Sequence, residues 1–385
     1  MNRVTRFSVL AIVMITGIMG RRADAQAPTE ISSGTSFLAS YNCVEENRGN
    51  LYSWAAINPQ WPFHMLGLSI LIKGESGTCR GIGRCAPYYI SSDGGKSWPC
   101  QAIQIPGTET AFGFFNIADP TCSFDNQQGS PTSAYATWLF YEHGIGTPPA
   151  WPRSRVYALR LPSATPGQLN CTWDPPLQPV HPPVFDPPGP VSSGYQVDKP
   201  FIAIDQTITS QFINRMYVGT VYWVLPSPQN PNDWIPGNYI FCRTGTSSPP
   251  GNPAWATSWT VPPVSPPSGP GQPFSTPGGV LVSDYPPPPQ GQELDAPYVA
   301  VAPAPWLDTG TVPPTPKAVV YIAWIDIIGG IPNTTGVLYI DRSVDGGATW
   351  GLQANGQHPD RVIRNIPALQ QNLWANSGSG SCPSV

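Results

Sequence analysis

The sequence predicts an all-β chain folded as a β-propeller, with four recognisable four-stranded blades and a fifth or sixth to be built from the terminal segments. Three observations predict it. The 385 residues include 50 prolines and 38 glycines, only 11% charged residues, and 14 tryptophans with 15 tyrosines, a composition that suits short strands and turns better than helices. An apolar hairpin followed by a tryptophan recurs four times, at Trp98, Trp173, Trp259 and Trp350, about 75 to 90 residues apart. Ahead of the last three hairpins stands an apolar segment that starts with Asp and then Pro, with no crossover helix between any of these pieces.

In chain order, residues 1–27 read as an export signal. Arg3 and Arg6 precede an apolar run over residues 7–19, and "ADAQA" at residues 23–27 supplies small residues for a peptidase, so the mature chain should begin near Gln26 or Pro28. The run is shorter than the roughly 18 to 20 apolar residues that span a bilayer. A secreted or extracytoplasmic chain is expected, with residues 28–385 as one propeller domain. Export would allow Cys43, Cys79, Cys85, Cys100, Cys122, Cys171, Cys242 and Cys382 to pair as disulfides, in a connectivity the spacing does not give.

The first unit draws its inner strands from residues 36–59, before the hairpin at Tyr88, and lacks an Asp-Pro start. The other three share one order. "ADPTCSFD", "VDKPFIAID" and "LDAPYVAVA" supply inner strands, and "AYATW", "MYVGT" and "VYIAW" supply second strands. "RVYALRL", "NYIFCRT" and "GVLYIDRS" supply third strands, each followed by a strand carrying the closing tryptophan. The proline-rich stretches around His181, from Val261 and from Tyr285 fall inside this order and read as stiff loops between blades. "RVIRNIP" from Arg361 is one further strand, and the tail beyond it is a candidate to close the ring onto the first blade.

Two hairpins carry the same turn, "ISSDGGKSW" at residues 90–98 and "DRSVDGGATW" at residues 341–350. The pattern is Ser91, Asp93, Gly95, Ser97 and Trp98 in one, and Ser343, Asp345, Gly347, Thr349 and Trp350 in the other. An ionised Asp can accept hydrogen bonds from the backbone of its own tight turn, and paired glycines take the positive φ such a turn needs. This doubled motif, with inner strands such as "DKPFIAID", resembles the secreted sialidase-like β-propellers with Asp-box repeats over roughly residues 85 to 355. The resemblance implies that the Asp-boxes are structural and sit away from the ligand. It also implies three substrate-gripping arginines, a tyrosine nucleophile paired with a glutamate, and an aspartate acid/base. The Arg-Ile-Pro motif that usually carries the first arginine is absent, since "RNIP" at Arg364 has an extra residue and the wrong place. Tyr141 and Glu142 are adjacent, and neighbours on a strand face opposite sides.

The candidate ligand residues are Asp119, Asp198 and Asp295, which open successive inner strands at equivalent positions, with Lys199 beside them. Converging carboxylates would accept sugar hydroxyls or calcium, and would repel one another without a compensating charge; as turn caps they would instead bond local backbone. Glu142 and Asp326 are conceivable partners for glycoside hydrolysis. Trp151, Trp234, Trp255 and Trp306 lie in loops as exposed stacking platforms. His64, His143, His181 and His358 are scattered without metal spacing and read as surface or loop residues. A formal charge of -4 without a basic stripe excludes nucleic acid as an expected partner. The leading expectation is a monomer that recognises glycans or glycoproteins without a cofactor, the alternatives being a sialidase-type hydrolase and a protein-interaction scaffold.

Overall fold

The computed structural model describes residues 50–72, 84–85, 88–98, 100–102, 114–128, 130–142, 154–165, 168–169, 173, 183–186, 195–224, 237–249, 252–259, 279–283, 292–302, 306–308, 315–317, 319–328, 335–351 and 363–366. The chain is all-β there, with a single four-residue helix, α1 (Ala254–Thr257). No helix among the described residues is long and apolar enough to cross a membrane. The export signal, Cys43, Cys79, Cys171, Cys382, the proline-rich stretches from Val261 and from Tyr285, and the tail after Ile366 lie outside the described residues, as do His143, His181, His358, Trp151 and Trp234.

Four antiparallel sheets follow one another along the chain. The first runs β1 (Asn50–Ile57), β2 (Met65–Ile72), β4 (Tyr88–Ser91), β5 (Cys100–Ala102), with β3 (Arg84–Cys85) also on β2. The second is β6 (Phe114–Phe124), β7 (Ala134–Glu142), β8 (Ser154–Leu161). The third is β11 (Tyr195–Ile204), β12 (Arg215–Val224), β13 (Gly237–Thr246), β14 (Val280–Leu281). The fourth is β15 (Gln292–Val301), β18 (Val320–Ile328), β19 (Thr335–Ser343), β20 (Ile363–Ile366). Two short hairpins, β9 (Ser163–Thr165) with β10 (Gln168–Leu169) and β16 (Trp306–Asp308) with β17 (Thr315–Lys317), stand outside them. Each sheet thus keeps chain order from its first strand outward, with antiparallel neighbours throughout.

Several expectations need correcting. Within the segment expected to supply the first unit's inner strands, residues 50–57 form β1 and residues 36–49 lie outside the described residues, while the second strand, "MLGLSILI", lies beyond that segment. None of the closing tryptophans lies on a strand. Each stands between the third strand and the outer one, and the outer strand of the third sheet is Val280–Leu281, well beyond Trp259. In the second sheet the outer place is taken by Phe185, which bridges Val156. The strand after Trp350 pairs with β19 and is itself the outer strand of the fourth sheet, rather than one strand beyond it; the tail expected to close the ring lies outside the described residues.

The sheets stack face to face, since alternate residues of a strand point to opposite faces. In β7, Ala134, Ala136, Trp138 and Phe140 enter a core shared with Leu66, Leu68 and Ile90 of the first sheet, whereas Tyr135 and Leu139 enter one shared with Val197, Ile202 and Phe241 of the third. Tyr217, Val221 and Ile240 meet Val299, Ile322 and Trp324 of the fourth. The closing tryptophans seal these layers. Trp173 meets Tyr88 edge to face at 5.2 Å, Trp259 joins the core between second and third sheets, and Trp350 joins the core between third and fourth. Trp98, whose sheet has no earlier neighbour among the described residues, remains half-buried.

Cys122 and Cys242 are single buried thiols, correcting the expectation that they pair. They sit in different cores, Cys122 between the first two sheets and Cys242 between the last two. Burial in apolar surroundings pushes both thiols up. His64 is buried in the β1–β2 loop rather than on the surface, and the same desolvation lowers its imidazole.

Candidate ligand site on the first strands

Every first strand carries the same irregularity. In β6 the pairing with β7 jumps from Ala118↔Leu139 to Thr121↔Thr137, so Asp119 and Pro120 together oppose Trp138. In β11 Lys199 and Pro200 oppose Thr220, and in β15 Ala296 and Pro297 oppose Trp324. In β1 Tyr52 and Ser53 oppose Ser69, although that strand has no Asp-Pro spelling. A β-bulge inserts one extra residue, which bends the strand and re-aims a side chain. Proline fits here because the extra residue needs no ladder N–H.

The bulge corrects the predicted equivalence of the three aspartates. None of them opens its strand: β6 starts at Phe114, β11 at Tyr195 and β15 at Gln292. Counted from the proline, Asp119 matches Lys199 and Ala296, whereas Asp198 and Asp295 match Ala118. Asp119 and Lys199 both hold the left-handed backbone, with φ of 47° and 49°. For residues other than glycine this conformation costs about 1–3 kcal/mol and is kept only where surrounding structure enforces it.

The two strained residues meet. Lys199 Nζ lies 3.6 Å from Asp119 Oδ1, with the Asp119 side chain buried and that of Lys199 partly exposed. Asp198 turns back on the bulge, its Oδ1 accepting from the Lys199 N–H at 2.9 Å while Thr220 Oγ1 donates to its carbonyl at 2.7 Å. Thr121 ties the two bulges together: its Oγ1 accepts from the Ile202 N–H at 3.0 Å and lies 2.8 Å from the Thr137 hydroxyl. The backbone of Asp295 pairs with Ile325, and Asp326 pairs with Leu294 beside it. Glu142, paired with Phe114, ends β7. These two strand ends lie toward the start of the first strands, as the hairpin order requires.

One position past each bulge stand Trp54, Thr121, Phe201 and Tyr298, and three of them form an aromatic cluster that the sequence reading missed. Trp54 packs edge-on against Phe201 at 4.7 Å, Phe201 against Tyr298 at 5.0 Å, and Trp54 lies 6.5 Å from Tyr298. First strands of the first, third and fourth sheets therefore converge on one line. Tyr298 nevertheless keeps 49% of its surface exposed. The signal was the shared offset from the proline in "DKPF" and "DAPY". Trp255, by contrast, is no exposed platform. It is fully buried in α1 beneath Arg160, whose guanidinium lies 5.6 Å from its ring, and against Tyr135 at 5.5 Å.

The twin turns lie at the far end of the sheets from the starts of the first strands. Asp93 Oδ1 accepts from the Ser97 N–H and the Ser91 hydroxyl at 2.8 Å each, and Oδ2 accepts from Ser97 Oγ at 2.6 Å. Asp345 repeats this with Thr349 N–H at 2.9 Å, Ser343 Oγ at 2.7 Å and Thr349 Oγ1 at 2.5 Å. Gly94, Gly95, Gly346 and Gly347 all have φ between 74° and 88°. Among the described residues no group of three His, Cys, Asp or Glu side chains is placed to hold a metal ion.

No family model and no curated protein matches the sequence. Among solved structures the chain is similar to the GH93 α-L-arabinofuranosidase of Fusarium graminearum in complex with arabinobiose, at 12% identity and a TM-score of 0.43, over 82% of this chain and 66% of that one. It is also similar to a point mutant of an α-L-arabinofuranosidase of the same organism bound to an iminosugar inhibitor, at 13% identity and a TM-score of 0.42, over 81% and 68% of the two chains. The chain thus spans just under two thirds of the first enzyme's length.

Proposed function

We propose that this chain is an exported β-propeller, a single monomeric domain over residues 28–385, that recognises glycans at the line where its first strands meet. The observation that carries this reading is the meeting of exposed Tyr298 with Trp54 and Phe201, beside the strained Asp119–Lys199 pair. An aromatic face stacks on the C–H face of a sugar ring, a carboxylate accepts from hydroxyls, and an ammonium donates to them. Lys199 already supplies the positive charge beside Asp119, so the ligand needs no calcium to enter. The paired charges cancel at short range, which favours a neutral sugar over an anionic one.

A glycan array on the mature chain, followed by calorimetric titration of the best hit, tests this. Asp119→Asn and Tyr298→Ala should each weaken binding by about tenfold or more while the unfolding midpoint shows the variants still folded. Binding that survives both changes would overturn the site. Turnover of a bound oligosaccharide, lost on mutating a carboxylate at this site, would replace recognition by hydrolysis.

A further inference from the structure

We propose that the chain has a second, separate carbohydrate surface, formed by the loop over residues 58–64 with the loops beside it, and that it binds neutral polysaccharide. The loop displays large apolar side chains to solvent: Trp61 is 44% exposed and Phe63 64%, with Ile57 at its root and Ile208 of the β11–β12 loop also exposed. Such display is costly in water and is not a product of slack, because the loop is tightly held. Asn58 N–H donates to the His64 carbonyl at 2.9 Å, and His64 N–H donates to the Trp61 carbonyl at 2.8 Å. Asn58 Oδ1 accepts from the Gln60 and Trp61 N–H groups at 2.9 and 3.3 Å, and Asn58 Nδ2 donates to Thr132 Oγ1 at 2.5 Å. Gly94 N–H, in the neighbouring turn, donates to the Phe63 carbonyl at 2.8 Å. The aromatics are thus pre-positioned, and binding them costs little ordering.

The surroundings decide the occupant. Beside Trp61 runs a belt of amides in which Gln60 Nε2 donates to Asn126 Oδ1 at 2.9 Å and to the Gln127 carbonyl at 3.0 Å, and Asn126 Nδ2 donates to the Gln206 carbonyl at 2.7 Å. The carboxylates of the same loops, Asp125 and Asp205, are fully buried, and His64 is buried too. Among the described residues of these loops, formal charge enters only at the margin, where Asp93 and Lys96 of one turn carry opposite signs. A face with rigid aromatics, amides and no net charge complements an uncharged polymer of sugar rings, whose C–H faces stack while its hydroxyls meet amides. A protein partner would favour a continuous apolar centre, whereas here the amides of Gln60 and Asn126 border the apolar side chains.

Sedimentation with microcrystalline cellulose, insoluble mannan and chitin, with immobilised polygalacturonate as the anionic control, tests the surface on the full mature chain. At least one neutral polymer should retain the protein at low and high salt alike. The Trp61→Ala/Phe63→Ala double variant should lose about tenfold or more in retention, with an unchanged unfolding midpoint, while Thr257→Ala, an exposed change on α1 outside both surfaces, should be retained as well as the parent. Failure of all three neutral polymers to retain the protein would overturn the proposal, as would retention that the double variant leaves intact or that Thr257→Ala lowers equally. Self-association of the parent, lost in the double variant, would assign the face to a second copy of the chain instead.

Discussion

Asp125 is the residue whose chemistry most exceeds its local role. It follows β6, is fully buried, and accepts the Ser133 N–H at 2.7 Å on Oδ1, while Oδ2 has no hydrogen-bond partner. Burial pushes its carboxyl up to about 7 against the pull of the Ser133 bond, nearby Gln127 and Ser247, and the Arg160 charge. Tyr135, between them, is pushed up by burial and by Asp125. Arg160 itself is spent on the segment over residues 248–252, its Nη1 donating to the Ser248, Pro249 and Asn252 carbonyls at 3.0–3.2 Å. Because the folded carboxyl titrates above its unfolded value near 4, the protonated acid favours the folded state. Stability is therefore full below about pH 4 as far as this group is concerned, and falls as pH rises through about 7, by at most about 4 kcal/mol. Denaturant unfolding at pH 5.5 and 8.5 should show the parent weaker at the higher pH. Asp125→Asn, which keeps the Ser133 acceptor and cannot ionise, should flatten that difference. An unchanged pH slope in the variant would remove Asp125 as its source.

At the scale of elements, the twin turns show what a local spelling controls and what it does not. Ser, Asp, two glycines and Ser or Thr suffice to close both, since the bonds each Asp accepts come from within its own motif. Their settings differ. Desolvation of Asp93 is too small to oppose its bonds, and its carboxyl is held down at about 2 chiefly by the Ser97 hydroxyl, so this turn's contribution fades only as pH falls toward that value. Asp345 is partly buried, which alone would raise it, but bonds from Thr349 and Ser343 win and lower it. Arg215 of β12 donates to the Gly346 carbonyl at 3.0 Å, and a methyl group added at Gly346 would clash with Arg215 and Phe212. Asp345→Ala should therefore cost about 1–3 kcal/mol in thermal or denaturant unfolding, and Asp93→Ala clearly less; the reverse order would detach the turns' energetics from packing. Strands and turns were legible for the same local reason. The bulge was half legible: proline marked it, but which neighbour occupies the strained position depends on pairing with the next strand, so Asp119 was aligned with Asp198 rather than Lys199. In β1 nothing marked it, because Tyr52-Ser53 carries no proline. Trp255 was misjudged because burial is decided by neighbouring sheets, and Cys122 and Cys242, read as able to pair, are instead single thiols enclosed by apolar core side chains.

For the whole molecule, the stacking order and the central cluster carry different loads. Apolar layers join first to second, second to third and third to fourth sheets, and the loops after the first strands are laced in the same sequence, Gln60 to Asn126, Asn126 to Gln206, and Thr207 Oγ1 to the Ala302 carbonyl at 3.4 Å. All of these links are between consecutive sheets. The cluster of Trp54, Phe201 and Tyr298 is different, because it ties the first sheet to the third and fourth across the centre, and Trp54 Nε1 also donates to the Cys122 carbonyl at 3.2 Å. A chain held only by neighbour-to-neighbour layers would behave as a row of repeats and lose its ends first. A chain joined across its centre should unfold as one unit. Trp54→Ala should therefore do more than subtract about 2 kcal/mol of half-buried aromatic packing. It should lower hydrogen-exchange protection of β1 and β2 selectively, leave β12 and β18 protected, and split a single denaturant transition into two when tryptophan fluorescence and far-ultraviolet dichroism are followed together. Loss of protection spread evenly over all four sheets, with the two probes still coincident, would mean that the layers alone make the molecule cooperative and that the central aromatics serve only the ligand.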